Sequence, residues 1–253
     1  GNCDSSGTHQ RVAYSNFQIN TAESFQRRPQ YLNQGKSPMA GFCRELDTNS
    51  PNKRIFALQE CFQSAQVITV TASAQSVRKW ISSVLYHHRH RFPRGKVVVG
   101  LGVQWTAHSN ESRAEILTLC VGCRVLIFQI AHAQTAPMLL RRFLADQRIT
   151  FVGVWNSQDV RKLAECHLSL DLHETLDVRM YAGDDGEDLR RESFGTIVNR
   201  CLGLPGVVLS KKISLSDWSV RWLSTEQVRY AAVDAYAAFQ IGRDYRAWGW
   251  KEF

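Results

Sequence analysis

No stretch of this chain holds the run of about 18 consecutive apolar residues that a membrane-spanning helix requires. A basic amphipathic helix of the kind that lies on a membrane surface is also missing, and the first residues lack the charged-then-apolar pattern of a secretory signal. Cysteine is sparse: seven among 253 residues, an odd number at irregular positions. That does not suit a disulfide framework and fits a reducing, intracellular compartment, nucleus or cytoplasm. Cys120 and Cys123 have CxxC spacing, but no second pair and no suitably spaced His accompanies them, so they read as core or turn residues rather than zinc ligands. Acidic residues are in the minority, 23 against 31 Lys and Arg, and the net charge of +8 favours a polyanionic partner such as nucleic acid.

With 44% hydrophobic residues the chain has enough apolar side chain to bury a core. Its first part, residues 1–61, is rich in Ser, Thr, Asn, Gln and Arg and shows no sustained period of 2 or 3.6, so it is expected to be disordered, with an ordered domain over residues 62–253. The opening Gly1-Asn2-Cys3-Asp4-Ser5 would match an N-myristoylation signal with a palmitoylatable Cys3 if an initiator Met had been removed; a fragment boundary explains the same letters.

After Phe62, Val67 to Thr71 reads as a β-branched strand and Ala74 to Tyr86 as a helix with Val77, Trp80, Ile81, Val84 and Leu85 on one face. The cluster Tyr86-His87-His88-Arg89-His90-Arg91 ends at the turn signal Pro93-Arg94-Gly95 and reads as a solvated basic rim. Lys96 to Trp105 is a nearly continuous apolar run, as in a strand covered on both faces. Ile116 to Val121 and Arg124 to Ile130 form a hairpin about Gly122. Helices are expected at Pro137 to Ala145, Asp159 to Cys166 and Phe194 to Leu202, with strands at Ile149 to Trp155 and Glu174 to Val178. Ser224 should cap a final helix carrying Val228, Ala231, Ala232, Ala235, Phe239 and Ile241 inward. Three strands in succession, then alternation, then helices alone predict an α/β fold with a mixed central sheet flanked by helices.

Three stretches resemble, in order, the motifs of the DEDDy 3'-5' exonucleases, especially the plant Werner-type and RNase D-like domains. Val98-Val99-Gly100-Leu101-Gly102-Val103-Gln104-Trp105 is similar to the family's strand ending in Asp-x-Glu-Trp. Phe151-Val152-Gly153-Val154 followed by Asp159-Val160-Arg161-Lys162-Leu163 resembles its strand-to-helix turn with a second Asp. Tyr230-Ala231-Ala232-Val233-Asp234 carries the Tyr-x-x-x-Asp signature. The resemblance spans Phe62 to Tyr245 and implies a ribonuclease H-like fold.

It also implies a chemistry. In such enzymes two Mg or Mn ions clamp an in-line attack of water on a terminal phosphodiester, and clustered carboxylates supply charge and hard oxygen ligands. Residues i and i+2 of a strand face one way, so an Asp-x-Glu pair aims both carboxylates at one ion pair. On a helix Tyr230 and Asp234 stand one turn apart, which lets the phenol orient the water beside the metal held by Asp234. Here, however, Gly102 stands at the bridging Asp position and Gln104 at the Glu position. Asp159 and Asp234 survive as metal ligands, Tyr230 survives beside them, and Glu111, Glu115, Asp185, Glu187 and Asp188 do not have the spacing to substitute. The simpler explanation for the survivors is that Asp159 caps a helix and Asp234 is held by hydrogen bonds of the fold.

The sequence therefore points to a degenerate exonuclease-like domain that binds nucleic acid, as a single strand or a 3' end, or else a protein partner, without efficient cleavage. A working metal-dependent exonuclease and a membrane-tethered interaction module are the alternatives. Trp105, Lys211 and Lys212 are the expected contacts to a strand, by stacking and by phosphate pairing, with Trp105 in the core and the lysines in a solvated loop as the competing reading.

Overall fold

The computed structural model describes residues 42–46, 50–59, 64–107, 113–183 and 188–252. Gly1, Cys3, Glu111, Asp185 and Glu187 lie outside the described residues. Strands β1 (Phe42–Leu46), β2 (Arg54–Gln59) and β3 (Gln66–Thr71) precede helix α1 (Ala74–His87). Then come β4 (Val97–Gln104), β5 (Ile116–Val121), β6 (Arg124–Gln129), α2 (Met138–Leu144), β7 (Ile149–Gly153), α3 (Asp159–Glu165), β8 (Leu176–Asp177) and α4 (Val178–Tyr181). Three helices finish the chain: α5 (Phe194–Leu202), α6 (Lys211–Ser214) and α7 (Thr225–Asp244).

The eight strands form one mixed sheet in the order β1-β2-β3-β6-β5-β4-β7-β8. β4, β5 and β6 follow one another in an antiparallel up-and-down meander, whereas β7 and β8 add parallel to β4. Meander, crossover, parallel strands: this is the outline of a ribonuclease H-like fold, extended on the β6 side by β3, β2 and β1. Every residue of β4 and β5 is buried, because helices cover both faces and no polar side is left for solvent. The expected hairpin turn at Gly122 is present, with φ 62° and Val121 paired to Arg124 across it.

Sheet and site are brought together by α7. Its start is fixed by a capping box: Ser224 accepts from the Gln227 backbone N–H while the Gln227 side chain accepts from the Ser224 N–H, and two of the four orphan donors are thereby satisfied. Ala231, Ala232, Ala235 and Ala238 keep one face of the helix slim and fully buried, so α7 lies close along β4. The approach is tightest at Gly100, where a Cβ would meet the Ala235 carbonyl oxygen at 1.9 Å. Only glycine fits there.

Residues 1–41 of the segment expected to lack order lie outside the described residues, and within the rest of it β1 and β2 correct the expectation. Ile55, Ala57 and Gln59 alternate with Phe56 and Leu58, both fully buried, and β2 pairs with β1 on one side and β3 on the other. The cue was only six residues long and depends on pairing with strands on either side of it, so local composition outweighed it. The predicted strand at Glu174 to Val178 shrinks to the two residues of β8, with α4 starting at Val178. Among the described residues no helix is long and apolar enough to cross a membrane, and no disulfide joins any two of their five cysteines, Cys43, Cys120, Cys123, Cys166 and Cys201.

Candidate active site

The end of β4 faces the middle of α7, and there Gly102, Gln104 and Asp234 converge. A Cβ built on Gly102 would lie 2.9 Å from Asp234 Oδ2 and 3.1 Å from Gln104 Nε2. The point from which a side chain of residue 102 would project is thus flanked directly by a carboxylate and an amide. Gln104 is buried, and its Oε1 accepts from Thr118 Oγ1 at 3.3 Å on the neighbouring β5. The i and i+2 relation on one strand holds as expected, with no carboxylate at either position.

Asp159 opens α3 just past the end of β7. It is the first helical residue rather than the cap, which is Gln158 and makes no side-chain capping bond, so the capping explanation for Asp159 does not hold. Its carboxyl is almost fully buried, and burial, with the charges of Asp234 and Asp177 adding to it, pushes its pKa up to about 8. Burial likewise raises Asp234 to about 7. Both carboxyls resist ionisation because nothing cationic offsets their loss of water. Asp177, the third acid near Asp159, is committed to Arg179 through a 2.6 Å ion pair.

Tyr230 stands one turn before Asp234 on α7, and its ring tilts against Trp218 with centroids 5.8 Å apart. Burial and the neighbouring Asp234 raise the phenol's pKa, while a hydrogen bond with Ser214 acts the other way. That bond links α7 to α6, whose first two residues are the exposed Lys211 and Lys212. The lysines therefore stand on the element that touches Tyr230. Trp105 is half-buried against the core, and Lys162 Nζ lies over its ring at 5.1 Å. Burial lowers the pKa of Lys162.

Of the neighbouring acids, Glu115 is close to the strand end, but its Oε2 accepts from both the N–H and the hydroxyl of Thr106, at 2.9 and 2.7 Å. Asp188 is exposed and held by Arg190. Among the described residues no three His, Cys, Asp or Glu side chains gather as a metal-binding group. A divalent ion wants six or more hard oxygens with enough negative charge around it. Two carboxyls with raised pKa and one neutral amide do not fit a pair of such ions.

Sequence reasoning missed three residues here. Asn156 is buried and donates to Thr175 Oγ1 at 2.8 Å and to the Leu176 carbonyl at 3.1 Å, which pins the turn before Asp159 to β8. Lys162 follows Asp159 by three positions and so shares its helix face, a signal the sequence did carry. Asp177 gave none. A cleft of about 940 Å³ lies away from these carboxyls, along the same end of the sheet, with Lys53, Arg54, Gln129, Arg221 and Trp222 in its wall. Gln129 and Gln104 both pair with Ile116, so the cleft begins two strands, about 10 Å, away.

Residues 102–244 match the family model described as 3'-5' exonuclease. The chain is 24% identical over 195 residues to exonuclease 3'-5' domain-containing protein 2 of Drosophila melanogaster, covering 76% of this chain and 32% of that protein. It is 23% identical over 182 residues to a 3'-5' exonuclease of Drosophila mojavensis, covering 69% and 53%. It thus spans a third to a half of the length of these relatives. Among solved structures, Escherichia coli RNase D matches with TM-score 0.54 at 18% identity over 72% of this chain and 46% of that one. The catalytic core of RRP6 from Trypanosoma brucei matches with TM-score 0.55 at 15% identity, covering 71% and 46%; at such identities the likeness is one of fold. With more than half its residues inside the family model, the chain belongs to the 3'-5' exonuclease family.

Proposed function

We propose that this chain is a catalytically degenerate 3'-5' exonuclease domain that holds a nucleic acid single strand or 3' end without cleaving it efficiently. One observation carries the reading. The place on β4 that faces Asp234 at 2.9 Å belongs to a glycine, so the ligand that would share both ions has no atoms there. Gln104 adds a neutral amide with its oxygen already accepting from Thr118. In the family the two ions activate the attacking water and stabilise the leaving oxygen, and the donors left in this chain do not supply the ligands that such a pair needs.

Retention of a strand rests on different groups. Lys211 and Lys212 are exposed on α6, next to Tyr230, and ammonium groups at that rim suit phosphates. Arg221 and the exposed Trp222 border the open cleft along the sheet, a cation beside an aromatic face, which is how sequence-tolerant single-strand binding is built. Trp105, covered by Lys162, is left as a packing residue. E. coli RNase D is an exoribonuclease involved in structured RNA processing; DNA and RNA single strands are therefore both to be tested.

The test is fluorescence anisotropy with labelled single-stranded DNA and RNA in Mn buffer, followed by sizing of the recovered oligonucleotide. Salt-sensitive binding with the oligonucleotide intact supports the proposal. A ladder of shortened products from the unaltered chain, or no binding of either strand, would sink it.

A further inference from the structure

At the far end of β4 from Gly102, about 15 Å away along the strand, lies a second cavity of about 320 Å³. Its mouth carries Arg91, Arg94, Lys96 and Arg243, and His88 stands beside them. Apolar walls come from Val98, Phe239 and Trp248. The basic run that follows α1 in the sequence, which the exonuclease-like site does not use, is the solvated rim expected from the sequence, and it borders one side of this cavity.

The charge balance is uneven. No Asp or Glu lines the cavity. Arg243 is paired with Asp244 at 2.7 Å, but Arg91, Arg94 and Lys96 have no carboxylate partner among the described residues. The pKa of His88 is lowered by burial and by its cationic neighbours Arg91, His87 and Arg124, so it sits in a positive field as a neutral ring. The carbonyl end of α7 brings a partial negative charge of about one half, against three full uncompensated cations. Three exposed cations side by side with no carboxylate lining the cavity suit a multiply charged anion, and a pyrophosphate group carries about three negative charges. The volume lies at the lower end of ligand pockets, enough for one nucleotide and too small to enclose a strand.

We propose that this cavity is a binding site for a nucleoside diphosphate-class ligand, with the pyrophosphate held by Arg91, Arg94 and Lys96 and the base packed against Trp248. Guanidinium groups bind phosphate oxygens in forked pairs, and half-buried Trp248 offers the aromatic surface that a bare phosphate would not need. The site is separate from the carboxylates and does not depend on whether they cleave anything.

Calorimetry on the full chain at low salt, titrated with ADP, pyrophosphate, adenosine and a ten-nucleotide oligo(dT), tests this. ADP should bind at one site, pyrophosphate more weakly because it lacks the base, and adenosine not measurably. Arg91 and Arg94 are exposed, so Arg91→Ala with Arg94→Ala leaves the core untouched and should weaken ADP about tenfold or more; Lys96→Gln should act in the same direction. Lys211→Ala with Lys212→Ala should leave ADP binding unchanged, which separates this site from the exonuclease-like groove. The idea fails if ADP does not saturate, if the Arg91 and Arg94 changes leave its affinity as it was, or if oligo(dT) displaces ADP and loses affinity in parallel with it, since the cavity would then be part of a strand's path.

Discussion

Placing carboxylates at both motif positions, Gly102→Asp with Gln104→Glu, should turn an uncharged strand end into half of a metal site. The new Asp would project from a Cβ only 2.9 Å from Asp234 Oδ2. The obstacle is the free end of a side chain, so Asp234 can rotate and the backbone need not move. Glu at 104 keeps an oxygen for the Thr118 hydroxyl that now donates to Gln104 Oε1, and it replaces by oxygen the amide nitrogen 3.1 Å from the same point. Two carboxylates about 4 Å apart repel by about 4 kcal/mol at an effective dielectric of 20. Because Asp159 and Asp234 take up protons near neutrality, part of that is relieved, and a metal-free loss of about 2–4 kcal/mol is expected at pH 7. For a chain of this size that lowers the melting temperature by about 5–15 °C. Mn at a hundred times its Kd should restore about 2.7 kcal/mol. The assay is thermal melting with and without Mn, alongside shortening of a 3'-recessed oligonucleotide that is lost again with Asp234→Ala; each single change should do little. A folded double variant whose melting temperature ignores Mn would refute the idea that the rest of the site is intact.

Asp159→Asn should stabilise the protein at pH 8. The buried acid titrates at about 8 when folded against about 4 unfolded, so the native state holds more protons, and stability falls as pH rises from about 4 to 8 at up to about 1.4 kcal/mol per pH unit. Melting of the variant and parent across that range checks it: the gain should be several degrees at pH 8 and shrink steadily toward pH 5. Lys211→Ala with Lys212→Ala should lower the salt slope of single-strand binding by about 1.4, because two ammonium–phosphate pairings disappear, as read from anisotropy against log salt; an unchanged slope removes α6 from the interface. Gly100→Ala should cost about 3 kcal/mol or more in chemical denaturation, because its Cβ meets a backbone oxygen at 1.9 Å and α7 must shift. Gly102→Ala, which meets only a side-chain end, should cost far less.

Elements whose cues are local were legible in the sequence. Ser224 and Gln227 announce the start of α7 through a hydrogen-bond pattern that needs no tertiary partner, and the turn at Gly122 follows from one left-handed residue between two β-rich runs. The long apolar run of β4 declared a strand covered on both faces. Elements whose stability comes from distant partners were not legible. β2 shows itself only once β1 and β3 flank it, and β8, α4 and α6 have two to four residues each, too few to carry a period. For the site, the motif spacing placed Gly102, Gln104, Asp159, Tyr230 and Asp234 on β4, α3 and α7, and the geometry at Gly102 brings Gln104 and Asp234 together. What spacing could not give is the environment: the burial that raises Asp159, the Lys162 ammonium over Trp105, and the Thr106 hydrogen bonds that occupy Glu115. Nor could it show that basic residues after α1 meet the end of α7 around one cavity.

The central claim is that the donor set left at the β4–α7 junction cannot enclose a pair of divalent ions, and Mn titration calorimetry of the unaltered chain at pH 7.5 addresses it most directly. With only Asp159 and Asp234 as carboxyl donors, the titration should show no site tighter than about millimolar. Two sites in the micromolar range, both abolished by Asp234→Ala, would contradict the account.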